Sequence, residues 1–86
     1  MSVEQHQQAL EVSYNGSQDP NVQQAASTAN QYTEMLKTGQ ITKDEYVQLM
    51  EDIVRTNNIN KNVDNQQVLE YMNTAINGLI TLASLA

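Results

Sequence analysis

The stretch VLEYMNTAINGLITLAS, residues 68–84, decides the fold. Wound as a helix, it sets Val68, Leu69, Met72, Ala75, Ile76, Leu79, Ile80, Leu82 and Ala83 on one side, over roughly half its circumference, where a helix facing a single core needs an arc of only about 100°. The opposite side, Glu70, Asn73, Thr74, Asn77, Thr81 and Ser84, holds one charge. Asp64 supplies the cap, Gln67 stands at the third helical position, and Val63 with Val68 forms a hydrophobic staple, so the helix runs over about 65–84. Gly78 lies inside it at a cost of about 1 kcal/mol. A segment so broadly apolar needs more cover than one helical hairpin provides.

Working back along the chain, two further helices define themselves at their ends. Asp19 caps the first, and Pro20 at its first position gives up no hydrogen bond that was needed. Val22, Ala25, Ala26, Ala29, Tyr32 and Leu36 then recur at helical spacing as a stripe of mostly small side chains. Lys37 suits the negative end of that helix, and Gly39 accepts the left-handed conformation that stops it, which gives 20–37. Thr42 and Glu45 make a capping box for the next, with Ile41 and Tyr46 as its staple. Tyr46, Leu49, Met50, Ile53 and Val54 form its inner face, Glu51 and Arg55 are an i,i+4 ion pair, and its expected span is 43–56. The Asn-rich run 57–62 reads as a loop.

Residues 1–18 are thinner in apolar content. Val3, Ala9, Leu10 and Val12 sit in a Gln-rich background, Ser2 with Gln5 resembles a capping box, and Tyr14-Asn15-Gly16-Ser17 reads as a turn. The expectation is a short helix over about 3–12, or an arm that a partner must order. The chain is thus expected to be all-α, a three-helix unit over 19–86 preceded by an N-terminal arm, 1–18.

Composition narrows the function. The chain has 86 residues and a net charge of −6, from 4 Lys and Arg against 10 Asp and Glu, so a phosphate backbone is repelled over most of its surface and direct nucleic-acid binding is disfavoured. It has no cysteine, which removes disulfides, thiolate chemistry and sulfur-based zinc sites. No stretch reaches the roughly 20 apolar residues of a membrane span, and no signal peptide is recognisable. The expected location is the cytoplasm or the interior of a virion.

The string Leu36-Lys37-Thr38-Gly39-Gln40-Ile41-Thr42-Lys43-Asp44-Glu45-Tyr46, continuing to Leu49, resembles the SHOCT-type short helical hairpin, which repeats a leucine, a glycine, Ile-Thr, an acidic residue with an aromatic, and a further leucine. Here the hairpin is central and acidic, whereas family members usually carry it at the C-terminus with more lysine in the second helix. The resemblance implies an oligomerisation or docking module.

Sites for chemistry are scarce. The one histidine, His6, falls in the N-terminal arm and reads as a surface residue. Asp44, Glu45, Glu51 and Asp52 are accounted for as a solvated helix face, since adjacent helix positions diverge and do not converge on one ion. The oxygen-rich segment 58–64 has valine at 63 and leucine at 69 where a calcium loop requires glycine and a bidentate glutamate. Asn15-Gly16-Ser17 matches a glycosylation sequon but reads as a turn. No catalytic residue, cofactor or metal is expected. The expected contacts with protein partners are Tyr14, Tyr71, Ile76, Leu79, Ile80, Leu82 and Leu85, tyrosines being frequent anchors of interfaces. The expectation is a non-enzymatic structural or adaptor protein that oligomerises or docks through its last helix, as a minor component of a larger assembly such as a virus particle. The alternative is a small acidic regulator that binds a basic groove on a partner protein.

Overall fold

Ser2 begins the first helix. Its hydroxyl accepts from the Gln5 amide at 3.2 Å while the Gln5 side chain accepts from the Ser2 amide at 2.8 Å, so two backbone donors left over at the helix start are satisfied at once. The computed structural model describes residues 2–59 and 66–85, in four helices: α1 Val3–Gly16, α2 Pro20–Lys37, α3 Lys43–Ile59 and α4 Gln66–Leu85. The chain is all-α among the described residues. The cap expected at Asp64 and the staple residue Val63 lie outside them.

The ends of α2 and α3 follow the sequence closely. The Asp19 carboxylate accepts from the Asn21 amide at 2.9 Å, with Pro20 opening the helix. At the far end Gly39 adopts φ +76°, and the Gln40 and Gly39 amides donate to the Met35 and Leu36 carbonyls, a pair of bonds that only a left-handed residue lets the chain make. Thr42 and Glu45 then exchange the two bonds of a capping box. Beyond that, α3 continues through Ile59 and does not stop near 56, because Asn57 turns inward. It is 5% exposed, and its side-chain amide donates to the side-chain oxygen Oδ1 of Asn73 on α4 at 2.8 Å. Arg55 pairs with Asp52 at 2.8 Å and not with Glu51, the i,i+3 neighbour taking the place of the i,i+4 one.

The helices close a ring. Each packs on two neighbours, α1 on α2, α2 on α3, α3 on α4 and α4 back on α1, with a light contact between α2 and α4 across the middle. Neighbours run antiparallel: Gln7 near the start of α1 bonds Asn30 and Glu34 late in α2, and Gly16 at the end of α1 meets Val68 at the start of α4. The result is an up-down-up-down bundle 34 × 22 × 19 Å across, the arrangement that short connections between helices produce. Its core is built from Leu10, Val22, Ala26, Ala29, Tyr46, Met50, Leu69, Met72, Ile76 and Leu79.

Three further expectations change. The N-terminal segment is a full helix of the same bundle, reaching Gly16 and not ending near 12, and α4 orders it. The wide apolar arc of α4 is correspondingly covered inside one chain, by α3 on one side and α1 on the other. His6 is likewise not a surface residue. It is 8% exposed and packs against Gly78, where a β-carbon would come within 2.4 Å of its ring. The glycine that weakens the middle of α4 makes room for that imidazole.

Polar side chains on α1 are accommodated without leaving buried atoms unpaired. Ser13, fully buried, donates to the Ala9 carbonyl at 2.9 Å. Gln7 donates to the Asn30 side chain at 2.7 Å and to Glu34 at 3.1 Å, and accepts from Lys37, whose ammonium also lies 3.6 Å from Glu34 and 3.8 Å from Glu4. Among the described residues, no buried side-chain nitrogen or oxygen lacks a partner.

Candidate functional site

Ridges of unequal height leave hollows between helices. On α2 the positions facing outward toward α1 are Ala26, Ser27 and Asn30, all short, while α1 presents Leu10, Glu11 and Tyr14 across from them. A groove of about 650 Å³ results, floored by the buried Leu10 and Ala26 and walled by Tyr14, Glu11, Glu34 and Met35. The Tyr14 ring is 44% exposed, so an apolar surface is offered to solvent beside a hydroxyl.

The electrostatics of this groove have one sign. Glu11 stands on the α1 wall and Glu34 on the α2 wall, and the groove has no lysine or arginine in its lining. Lys37 is engaged by Gln7, Glu34 and Glu4. Two carboxylates flanking an apolar floor attract a cation carried on an apolar stem.

A second groove, of about 570 Å³, lies between α2 and α3, with Ala25, Tyr32, Leu49, Ile53 and Ile59 as its apolar surface and Asp52 at its rim. The 70% exposed Ile59 at its end adjoins residues outside the described part. The α1–α2 groove is bounded wholly by described residues.

The contact residues expected from the sequence are dispersed. Ile76 and Leu79 are 0% and 2% exposed, in the core, and Ile80 and Leu82 are half-buried along α4. Tyr14 opens onto the α1–α2 groove, Tyr71 stands 49% exposed on α4, and Leu85 is 79% exposed at the last turn, the opposite end of the bundle. Of these, Tyr14 lines the α1–α2 groove beside Glu11, Glu34 and Met35. Glu11, Glu34 and Met35 were not singled out in the sequence; the signal was the i,i+3 pairing of Glu11 with Tyr14, which gains meaning only once α1 is known to be a helix beside α2.

Two ionisable groups outside the groove are perturbed. Burial pushes the Tyr46 hydroxyl above its ordinary value. The Thr33 hydroxyl gives its one proton to the Ala29 carbonyl at 2.9 Å, so Tyr46 is the donor in the 2.8 Å contact between the two hydroxyls. The Glu45 carboxyl is held below its ordinary value by the backbone amide and then the side chain of Thr42. Among the described residues, no group of three or more His, Asp or Glu is placed to hold a metal ion, and no helix is long and apolar enough to cross a membrane. No protein-family model, curated protein or solved structure matches the chain.

Proposed function

We propose that the chain is a non-enzymatic adaptor or structural protein, a component of a larger assembly, that docks a partner protein through the groove between α1 and α2. The observation that carries this reading is the groove itself: an apolar floor at Leu10 and Ala26, a half-exposed tyrosine and flanking carboxylates, the mixture of apolar anchor and polar rim that protein contacts use. The resemblance of residues 36–49 to a SHOCT-type docking or oligomerisation hairpin agrees with it. The test is affinity capture from the native source with the wild-type chain and with Tyr14→Ala. The reading requires a partner held by the first and lost by the second, with the helical circular dichroism of both unchanged. A partner retained equally by Tyr14→Ala would reject the groove as the docking surface.

A second reading, self-association, has its own observation in the 49% exposed Tyr71. The antiparallel register that sets Gly16 beside Val68 and His6 against Gly78 brings Val12, 59% exposed, level with it. Light scattering on the wild type and on Tyr71→Asp decides this. A multimer abolished by the substitution supports it, and a monomer in both excludes it.

A further inference from the structure

We infer that the occupant of the α1–α2 groove is a basic amphipathic helix of a partner protein. This rests on the docking reading above and specifies its partner.

The helical form follows from the walls. Both are helices, whose backbone donors and acceptors along the groove are already paired within the helix. An extended segment seated there would find nothing to bond its main chain, whereas a helix brings its own bonds complete. The short side chains Ala26, Ser27 and Asn30 along the α2 wall give a helix ridge somewhere to sit.

The charge follows from the rim. Glu11 and Glu34 face the groove from opposite sides and the lining holds no cation. Glu11 forms no ion pair with any described residue, while Glu34 is partly occupied by Lys37 at 3.6 Å, so Glu11 is the freer anchor. With a net charge of −6 behind them, these carboxylates repel acidic helices, nucleic acid and anionic membrane surfaces, and draw lysine or arginine side chains that flank an apolar stripe. Tyr14 then serves twice, as an apolar wall for that stripe and as a ring over which a cation can rest.

The probe is a synthetic amphipathic helix of leucine and lysine, titrated into the isotopically labelled full chain and followed by amide chemical shifts, with a counterpart in which glutamate replaces every lysine. The expected result is shifts centred on Glu11, Tyr14, Gln31 and Met35. Binding should weaken roughly three- to tenfold on Glu11→Gln, further as salt is raised, and not at all on the distant Glu70→Gln. Glu34→Gln should act in the same direction, its use checked by intact helical circular dichroism because Gln7 and Lys37 also lean on that carboxylate. Shifts spread over the acidic surface, or equal weakening by Glu70→Gln, would overturn the inference. Equal seating of the glutamate counterpart in the groove would overturn the charge assignment alone and leave the docking reading standing. If neither peptide perturbs the groove and Tyr14→Ala keeps its captured partner, both readings are lost.

Discussion

The α2–α3 hairpin and the α1–α4 pair are held together by different means. The hairpin is anchored at its turn by bonds between residues three to five apart, the Gly39 stop and the Thr42 and Glu45 box, and by one buried contact between Tyr46 and Thr33, thirteen positions apart. The α1–α4 pair is joined by residues more than fifty positions apart in the chain, and it depends on shape, with His6 against Gly78 and Gly16 against Val68. Local bonds set where a helix begins and ends. Whether a helix with as few apolar residues as α1 stays folded is decided by the surface it is offered.

Loosening α1 from α4 has the largest effect. Leu10 is 1% exposed at the centre of α1, and Leu10→Asp would bury a charge without a partner. The expected cost is about 4 kcal/mol or more, a large share of the total stability of a small domain, read as a collapse of the urea midpoint. A cost under about 1 kcal/mol would show that α1 is dispensable to the bundle.

Next in size is Gly78→Ala. The added carbon enters the space of the His6 ring at 2.4 Å, an overpacking worth about 1–3 kcal/mol, set against a gain of about 1 kcal/mol in helix propensity. A net loss is expected, and pairing it with His6→Ala should turn the effect of Gly78→Ala into a gain. A double-mutant cycle in urea measures the coupling, and additivity would mean that the ring moves aside freely.

On the hairpin side the effects are smaller. Tyr46→Phe removes the hydroxyl that donates to Thr33 and should cost about 1 kcal/mol, since Thr33 keeps its bond to Ala29. The same hydroxyl gives a pH dependence. Because its folded-state value lies above the ordinary 10.0, the folded chain keeps this proton where the unfolded chain has lost it. Its contribution is therefore complete below pH 10 and is lost as pH rises through the folded value. Alkaline unfolding followed by tyrosinate absorbance should show one tyrosine ionising late, and Tyr46→Phe should remove that late phase. Smallest is the exposed Glu45. Its carboxyl is held below the ordinary 4.5, so the capping box contributes above that pH and weakens as acid protonates it. Glu45→Gln should flatten that part of the acid titration, read from thermal midpoints.

How legible each region was follows from the range of the forces that shape it. Asp19, Pro20, Gly39, Thr42 and Glu45 act within one helical turn, so the sequence predicted α2 at its observed bounds and α3 at its observed start. The α1–α4 contact was half visible. The apolar arc of α4 announced that something must cover it, but the covering face on α1 is His6, Ala9, Leu10 and Ser13, a helical i,i+3,i+4,i+7 stripe in which two members are polar. Histidine and serine count as surface residues until a glycine opposite one and a carbonyl beneath the other make their burial cheap. The groove was less legible still, because Tyr14 and Met35 become neighbours only through the packing of α1 on α2.

The ring of helices also orders events during synthesis. Of the four helices α1 leaves the ribosome before the others, and one of its two neighbours, α4, is made after the other three, while the hairpin between them can close as soon as its turn emerges. Until α4 arrives, Leu10 has only part of its final surroundings, and anything that binds the unfinished chain there competes with the twenty residues of α4.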